Sequence, residues 1–386
     1  MSVTPVPYVP TPRTTARGPV SPAVRRGALR HAAPALLGFL AVRLLGLAVL
    51  ARWAHREGHG LWPLLARTWD SLWYLDIAGH GYTAEPSYPR NLAFFPLFPG
   101  LVRVLSALVP GSRASVALGL AVVCSLLAAW GVFAVGDRLH GRRTGTVLAV
   151  LWGASPVAAV QWMGYTESLF TALAAWALYA VLGGRWAWAA GLAVAAGLTR
   201  PTGLAVAAAV CAAGMLAARR ERRAAAAALT APLGWLGYVG WVALVRGRWD
   251  GYFEVQLRWG NAWDGGAVTL RALRRYLVHS PSPSFFLSVV SVVLVLSAGL
   301  YLCCLADRQP LPLLVFTGVL LLVVLGSGGV WFPRARFLLP GFPLLLPLAV
   351  GIARARWHVA ALVLTGAALS SAWLGGHMLL VWDGAP

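Results

Sequence analysis

Lysine is absent from the 386 residues, and acids are scarce: 12 Asp and Glu stand against 32 basic side chains, every one an arginine. Charged residues make up only 11% and hydrophobic ones 59%, a balance that excludes an ordinary soluble globular domain, because no soluble core needs so much apolar surface. Missing lysine fits an arginine- and alanine-biased genome of bacterial type, which lowers the weight any single arginine can carry. Cysteine is also rare. Cys124, Cys211, Cys303 and Cys304 all lie inside apolar segments, where they read as small core hydrophobes, so a disulfide framework, a metal-thiolate site and redox chemistry are set aside. A net charge of +20 raises nucleic acid as a partner. The arginines, however, sit in short loops between apolar runs, where membrane topology and lipid head groups account for them, and no nucleic-acid role is expected.

What is present is hydrocarbon-compatible sequence. Apolar runs of the length that crosses about 30 Å of hydrocarbon as a helix recur from residue 33 to the C-terminus. Eleven spans are expected, over residues 33–54, 115–136, 144–160, 166–182, 187–200, 202–218, 224–246, 284–305, 311–330, 337–353 and 359–381. Residues 1–30 are rich in Pro, Thr and Arg, carry no acid, and read as a disordered basic cytoplasmic tail against anionic lipid. The apolar stretch that follows is too long, and lacks the small-residue cleavage site, for a removable signal sequence. Residues 31–386 then form one transmembrane domain.

The stretch from Phe94 to Pro110 decides the topology. It is apolar but short, holds Pro96, Pro99 and Arg103, and its run Leu97 to Leu108 is amphipathic. Read as a helix lying in the interface or re-entering, it leaves the arginine-rich loops around Arg138, Arg219 and Arg354 on the same side as the basic tail, as the positive-inside tendency requires. The N-terminus is then cytoplasmic. Asp137, Glu221 and Asp307 fall inside, whereas the other nine acids fall outside or at outer helix ends. Carboxylates are expensive near hydrocarbon, so this concentration predicts a polar site on the non-cytoplasmic face, built by the external loops 55–114 and 247–283.

The first of these loops reads Trp69-Asp70-Ser71-Leu72-Trp73-Tyr74-Leu75-Asp76, then Gly81-Tyr82, Glu85 and Ala93-Phe94-Phe95-Pro96. Further on stand Gly164-Tyr165-Thr166-Glu167-Ser168 and Thr199-Arg200-Pro201-Thr202-Gly203, followed by Gln256, Trp259 and Gly260, and by Arg336-Phe337-Leu338. In this order the blocks resemble the PIG-V family, the second GPI mannosyltransferases and their bacterial relatives. The resemblance implies an all-α GT-C-like helical bundle and an inverting mannosyltransferase. The donor would be a polyprenyl-phosphate sugar and the acceptor a glycan, glycolipid or protein. A transporter or flippase for a lipid-linked anionic substrate is the alternative, although no internal repeat is visible and the acids gather at one surface rather than at mid-depth.

Inverting transfer needs a carboxylate to take the proton of the attacking hydroxyl while phosphate leaves from the opposite face of the sugar. Asp70 is the candidate base, and its plainer role is a helix N-cap. Asp76, six residues on, projects away from it on a helix and is a candidate substrate-binding residue. Glu85, which follows Gly-Tyr as the family's acid does but with a longer spacer Pro86 to Leu92 before Ala93, is a candidate substrate ligand or a solvated loop acid. Tyr82, Glu167 and Trp259 are further substrate-binding candidates. Glu167 also fits a charge stabilised by a helix N-terminus, and Trp259 an interfacial belt residue. Arg200 and Arg336 are the candidates for the donor phosphate, with Arg334 and Arg258 behind them, and each reads equally as a snorkelling interfacial arginine. No cofactor is expected and a divalent metal is left open. His55, Glu57 and His59 lack the spacing of a zinc site.

Overall fold

The structure, a computed structural model, describes residues 22–385 apart from 84, 86, 282 and 283. The expected tail falls largely outside the described residues, and its end, from Pro22 to Arg30, is the start of the first helix. Eighteen helices follow one another: α1 (Pro22–Arg56), α2 (Leu61–Ala66), α3 (Asp70–His80), α4 (Leu97–Leu108), α5 (Arg113–His140), α6 (Arg142–Gly153), α7 (Glu167–Leu182), α8 (Trp186–Gly197), α9 (Gly203–Ala217), α10 (Arg222–Thr230), α11 (Leu233–Arg246), α12 (Gly251–Arg258), α13 (Ala267–Arg274), α14 (Phe285–Ala306), α15 (Leu311–Gly326), α16 (Arg334–Phe337), α17 (Leu346–Arg354) and α18 (Trp357–Leu380). Among the described residues there is no strand, only an isolated bridge between Trp263 and Ser327.

Among the described residues, five helical stretches are long and apolar enough to cross a membrane: Gly27–Arg56, Arg113–His140, Arg222–Arg246, Phe285–Ala306 and Trp357–Leu380. The chain is therefore a multi-pass membrane protein, but the expected number of eleven crossings is not reached by length alone. Each remaining expected span contains a shorter helix. The expected span 144–160 breaks after Gly153 and resumes as a 3-10 turn, Ala158–Trp162, which leaves α6 with 12 residues. At about 1.5 Å per residue such a helix covers some 18 Å, well short of the bilayer core. The ambiguous segment becomes α4, also 12 residues, with Phe98, Pro99 and Val102 buried on one face and Val104 and Leu108 exposed on the other.

Packing explains where the breaks fall. α5 lies against α6 and α7, α1 against α18 and α6, and α9 against α8, α10 and α15. Small side chains allow the tight approaches. At the α8–α9 turn a Cβ on Gly203 would stand 2.5 Å from the carbonyl oxygen of Ala196, so only glycine lets the segment Thr199 to Thr202 fold back so sharply. Aromatic stacking of Phe39 on Trp152, at 5.3 Å between centroids, joins α1 to α6 at the centre of the core.

Candidate active site

Helix α3 brings Asp70 into the molecule. The residue before it, Trp69, has φ +51°, a left-handed conformation that costs a side-chain-bearing residue of order 1–3 kcal/mol and that collects at functional sites. Ser71, Tyr74 and Ala78 bury one face of the helix, and Tyr74 packs edge-on against Phe94 and Phe98 of the same loop. Asp70 begins the helix but is not its cap. The cap position belongs to Trp69, which makes no side-chain cap bond, and the Asp70 carboxylate is turned to Arg336, whose Nη2 lies 2.5 Å from Oδ2.

Arg336 belongs to a cluster of four charges. The Arg200 Nη1 lies 2.5 Å from Glu167 Oε1, and the Arg336 Nε is 3.7 Å from the same oxygen. These are contacts of charges rather than aligned hydrogen bonds, and Glu167 Oε1 is left without a donor by geometry. Glu167 is 1% exposed, while Asp70 keeps 24% of its side chain open. Two carboxylates balance two guanidinia, so the cluster carries no net charge before any substrate arrives. Arg336 stands over the rings of Tyr165 and Phe337, and Arg200 also stands over the Phe337 ring. Thr166 completes the arrangement: its hydroxyl accepts from Arg200 and pairs with the Tyr74 hydroxyl at 3.1 Å.

The local sequence accounts for each placement. Gly164 donates its backbone N–H to Leu65, docking the start of α7 on the first loop, and Tyr165 donates its hydroxyl to the Thr68 carbonyl two residues before Asp70. Glu167 opens α7, where the positive end of the helix favours a carboxylate. In α16, four residues long, Arg334 and Arg336 turn to different neighbours. Arg334 donates to the Thr269 hydroxyl and to the carbonyls of Ser327 and Val330, tying the second loop to the end of α15. That commits it to structure. Arg258 pairs with Glu254, which also binds Arg246.

The other candidates stand apart from the cluster. Asp76 pairs through Oδ1 with His80, 2.9 Å away, and its buried Oδ2 has no partner among the described residues. The Tyr82 hydroxyl donates to the Phe94 carbonyl, and its burial raises its pKa above the usual tyrosine range. Glu85 lies in an exposed turn. Trp259 reaches from the second loop to the first: its Nε1 donates to the Arg90 carbonyl, and its ring meets Trp73 at 5.1 Å and Phe94 at 5.6 Å. Trp73 is three residues after Asp70, so this aromatic group shares the carboxylate's side of α3. In the second loop Asp264 accepts from the backbone N–H groups of Val268 and Gly266, which hold its carboxyl below the ordinary range. Among the described residues no group of three His, Cys, Asp or Glu is placed to hold a metal ion.

Residues 55–221 match a family described as mannosyltransferase (PIG-V). The PIG-V resemblance is thereby borne out over a stretch that contains Asp70, Thr166, Glu167 and Arg200, while Arg336 lies beyond it. The GPI alpha-1,6-mannosyltransferase 2 of Rattus norvegicus is 36% identical over 149 residues, covering 35% of this chain and 29% of the rat protein. That of Mus musculus is 35% identical with the same coverage. The chain thus spans less than a third of the length of these PIG-V relatives. An archaeal oligosaccharyltransferase, AglB from Archaeoglobus fulgidus in complex with an inhibitory peptide and a dolichol-phosphate, aligns over 90% of this chain and 56% of its own at a TM-score of 0.52, with 14% identity. The apo form aligns over 91% and 56% at 0.51, with 13% identity. At such identities the likeness is one of fold, and the GT-C-like bundle expected from the sequence is the fold observed.

Proposed function

We propose that this protein is a mannosyltransferase that moves mannose from a polyprenyl-phosphate-mannose donor to a glycan, glycolipid or protein acceptor on the non-cytoplasmic face of the membrane, with inversion at the anomeric carbon. The observation that carries this reading is the joining of Asp70 to Arg336 beside Glu167 and Arg200, three of the four lying inside the PIG-V match.

Each residue has a part in this scheme. The acceptor hydroxyl gives its proton to Asp70 as its oxygen bonds to C1 of the sugar. The bond from C1 to the phosphate oxygen breaks on the opposite face, and the electron pair leaves with the polyprenyl phosphate. Arg336 links the two events, because Nη2 holds Asp70 while Nη1 has no partner among the described residues. A phosphate that takes Nη1 shares the guanidinium charge, frees Asp70 to act as base, and finds a cation for the charge that grows on it. Glu167 positions both arginines. Trp73, Phe94 and Trp259 offer aromatic faces to a sugar ring. A cavity whose walls, including Ala335, Leu338, Leu339, Phe342 and Val293, are mostly apolar runs beside α16 and suits a hydrocarbon carrier. The arginine-rich loops, which the positive-inside tendency favours on the cytoplasmic side, support this side of the membrane.

Purified protein reconstituted with radiolabelled polyprenyl-phosphate mannose is the test. Release of polyprenyl phosphate together with labelled acceptor is the expected result. Absence of both over a range of glycan, glycolipid and peptide acceptors would remove the proposal.

A further inference from the structure

Arg43 lies in the middle of α1, inside the apolar run 33–54, with Val42 and Leu44 on either side. It is 4% exposed. None of the ion pairs among the described residues includes it, and its Nε is buried without a hydrogen-bond partner. An arginine does not shed its proton to escape burial, so a guanidinium in this position calls for an anion. None of the described residues supplies one.

The space around it has the shape of an answer. Arg43 lines a partly open cavity between α1 and α18, whose walls include Gly46 and Leu50 of α1, Leu65 of α2, Trp162, and Ser371 and Gly375 of α18. Its guanidinium turns along its own helix toward the first external loop: a Cβ on Gly46 would stand 3.2 Å from Nη2, so the glycine makes room for the charge. Polar atoms of the wall are already engaged. The Ser371 hydroxyl donates to the Ser155 carbonyl, and Trp162 Nε1 donates to the Ser125 hydroxyl. None of Asp70, Glu167, Arg200 and Arg336 lines this cavity.

We propose that the groove between α1 and α18 is a second site, which binds the phosphate of a membrane lipid on Arg43 with the hydrocarbon chain lying along the two helices. A planar guanidinium favours oxyanions that accept two parallel hydrogen bonds, which phosphate does. The walls select a lipid over a soluble anion, since they are apolar and both helices are long enough to cross the bilayer. Two sources carry this chemistry, an isoprenoid phosphate and a diacyl phospholipid. The proposal is independent of the transfer reaction, because it uses no residue of the Asp70 cluster.

Delipidated full-length protein in detergent, titrated with polyprenyl phosphate, phosphatidic acid, polyprenol or inorganic phosphate and read by native mass spectrometry, tests it. Saturable binding of at least one phosphate lipid is expected, with neither polyprenol nor inorganic phosphate binding saturably; the tighter of the two lipids names the source. Arg43→Gln should weaken that binding at least ten-fold and Arg43→Lys far less. Gly46→Leu, which keeps the charge but fills its space, should weaken it as well. Without lipid, Arg43→Gln should melt no lower than the parent protein, since it removes an unpaired buried charge. Added phosphate lipid should raise the melting temperature of the parent protein alone. Equal lipid binding by Arg43→Gln, equal binding of polyprenol, or a lower lipid-free melting temperature in Arg43→Gln with no lipid effect on the parent would each overturn the site.

Discussion

Glu167→Gln is the substitution whose consequence the geometry fixes most narrowly. The change keeps the shape of the side chain and removes its charge. Arg200 and Arg336, 8% and 4% exposed, are then left facing Asp70 alone, so a neutral cluster acquires a net positive charge in a buried setting. At an effective dielectric of about 20, charges separated as Arg336 and Glu167 are attract each other by roughly 4 kcal/mol, and the measured cost of breaking buried pairs is about 3–5 kcal/mol. Glu167→Gln is therefore expected to lose about 3–5 kcal/mol in equilibrium unfolding of the reconstituted protein. Adding Arg200→Gln should return part of this loss, because it withdraws the uncompensated charge, and the cycle should give a coupling of about 1–3 kcal/mol. Unfolding of Glu167→Gln within about 1 kcal/mol of the parent would show that the cluster is solvated and the electrostatic reasoning wrong.

Further outcomes are expected elsewhere in the molecule. Arg334→Gln should destabilise the second loop by about 2–3 kcal/mol, because the Ser327 and Val330 carbonyls and the Thr269 hydroxyl lose their donor, and hydrogen exchange in α13 should speed up. Glu254 is held below its ordinary pKa by Arg258 and Arg246. With a lowered folded value, its contribution is complete above the unfolded value of about 4.3 and is lost as pH falls through the folded one, so amide exchange in α12 should rise only below about pH 4. An onset near neutrality would contradict that pairing.

The helices were largely legible in the sequence because run length and hydropathy are local properties. Breaks inside them were less so. The stop after Gly153 and the turn at Arg200 depend on how α6, α8 and α9 meet their neighbours, which no window of residues 144–160 or 187–200 reveals. Asp70, Glu167, Arg200 and Arg336 were all singled out from their own motifs, yet the pairing of Asp70 with a residue 266 positions away is a property of the fold alone. Their motifs offer Glu167 and Arg200 as separate substrate and phosphate ligands, whereas in the fold each neutralises the other. Tyr74, Tyr165, Thr166 and Phe337 gained their places only through packing, although Tyr165 and Thr166 stood in a motif beside Glu167. Trp69 gave no sign of its positive φ. Arg43 stands near the middle of the apolar run 33–54, where a charge is a sequence signal in its own right.

Asp70→Asn tests the central claim most directly, in the mannose-transfer assay and with thermal unfolding of the same preparation as a control. The neutral amide preserves size and a hydrogen bond to Arg336 but cannot take a proton. Transfer is expected to fall by about 10²–10⁴-fold while the variant still inserts and unfolds cooperatively. Turnover equal to that of the parent protein would contradict the assignment of Asp70 as the base.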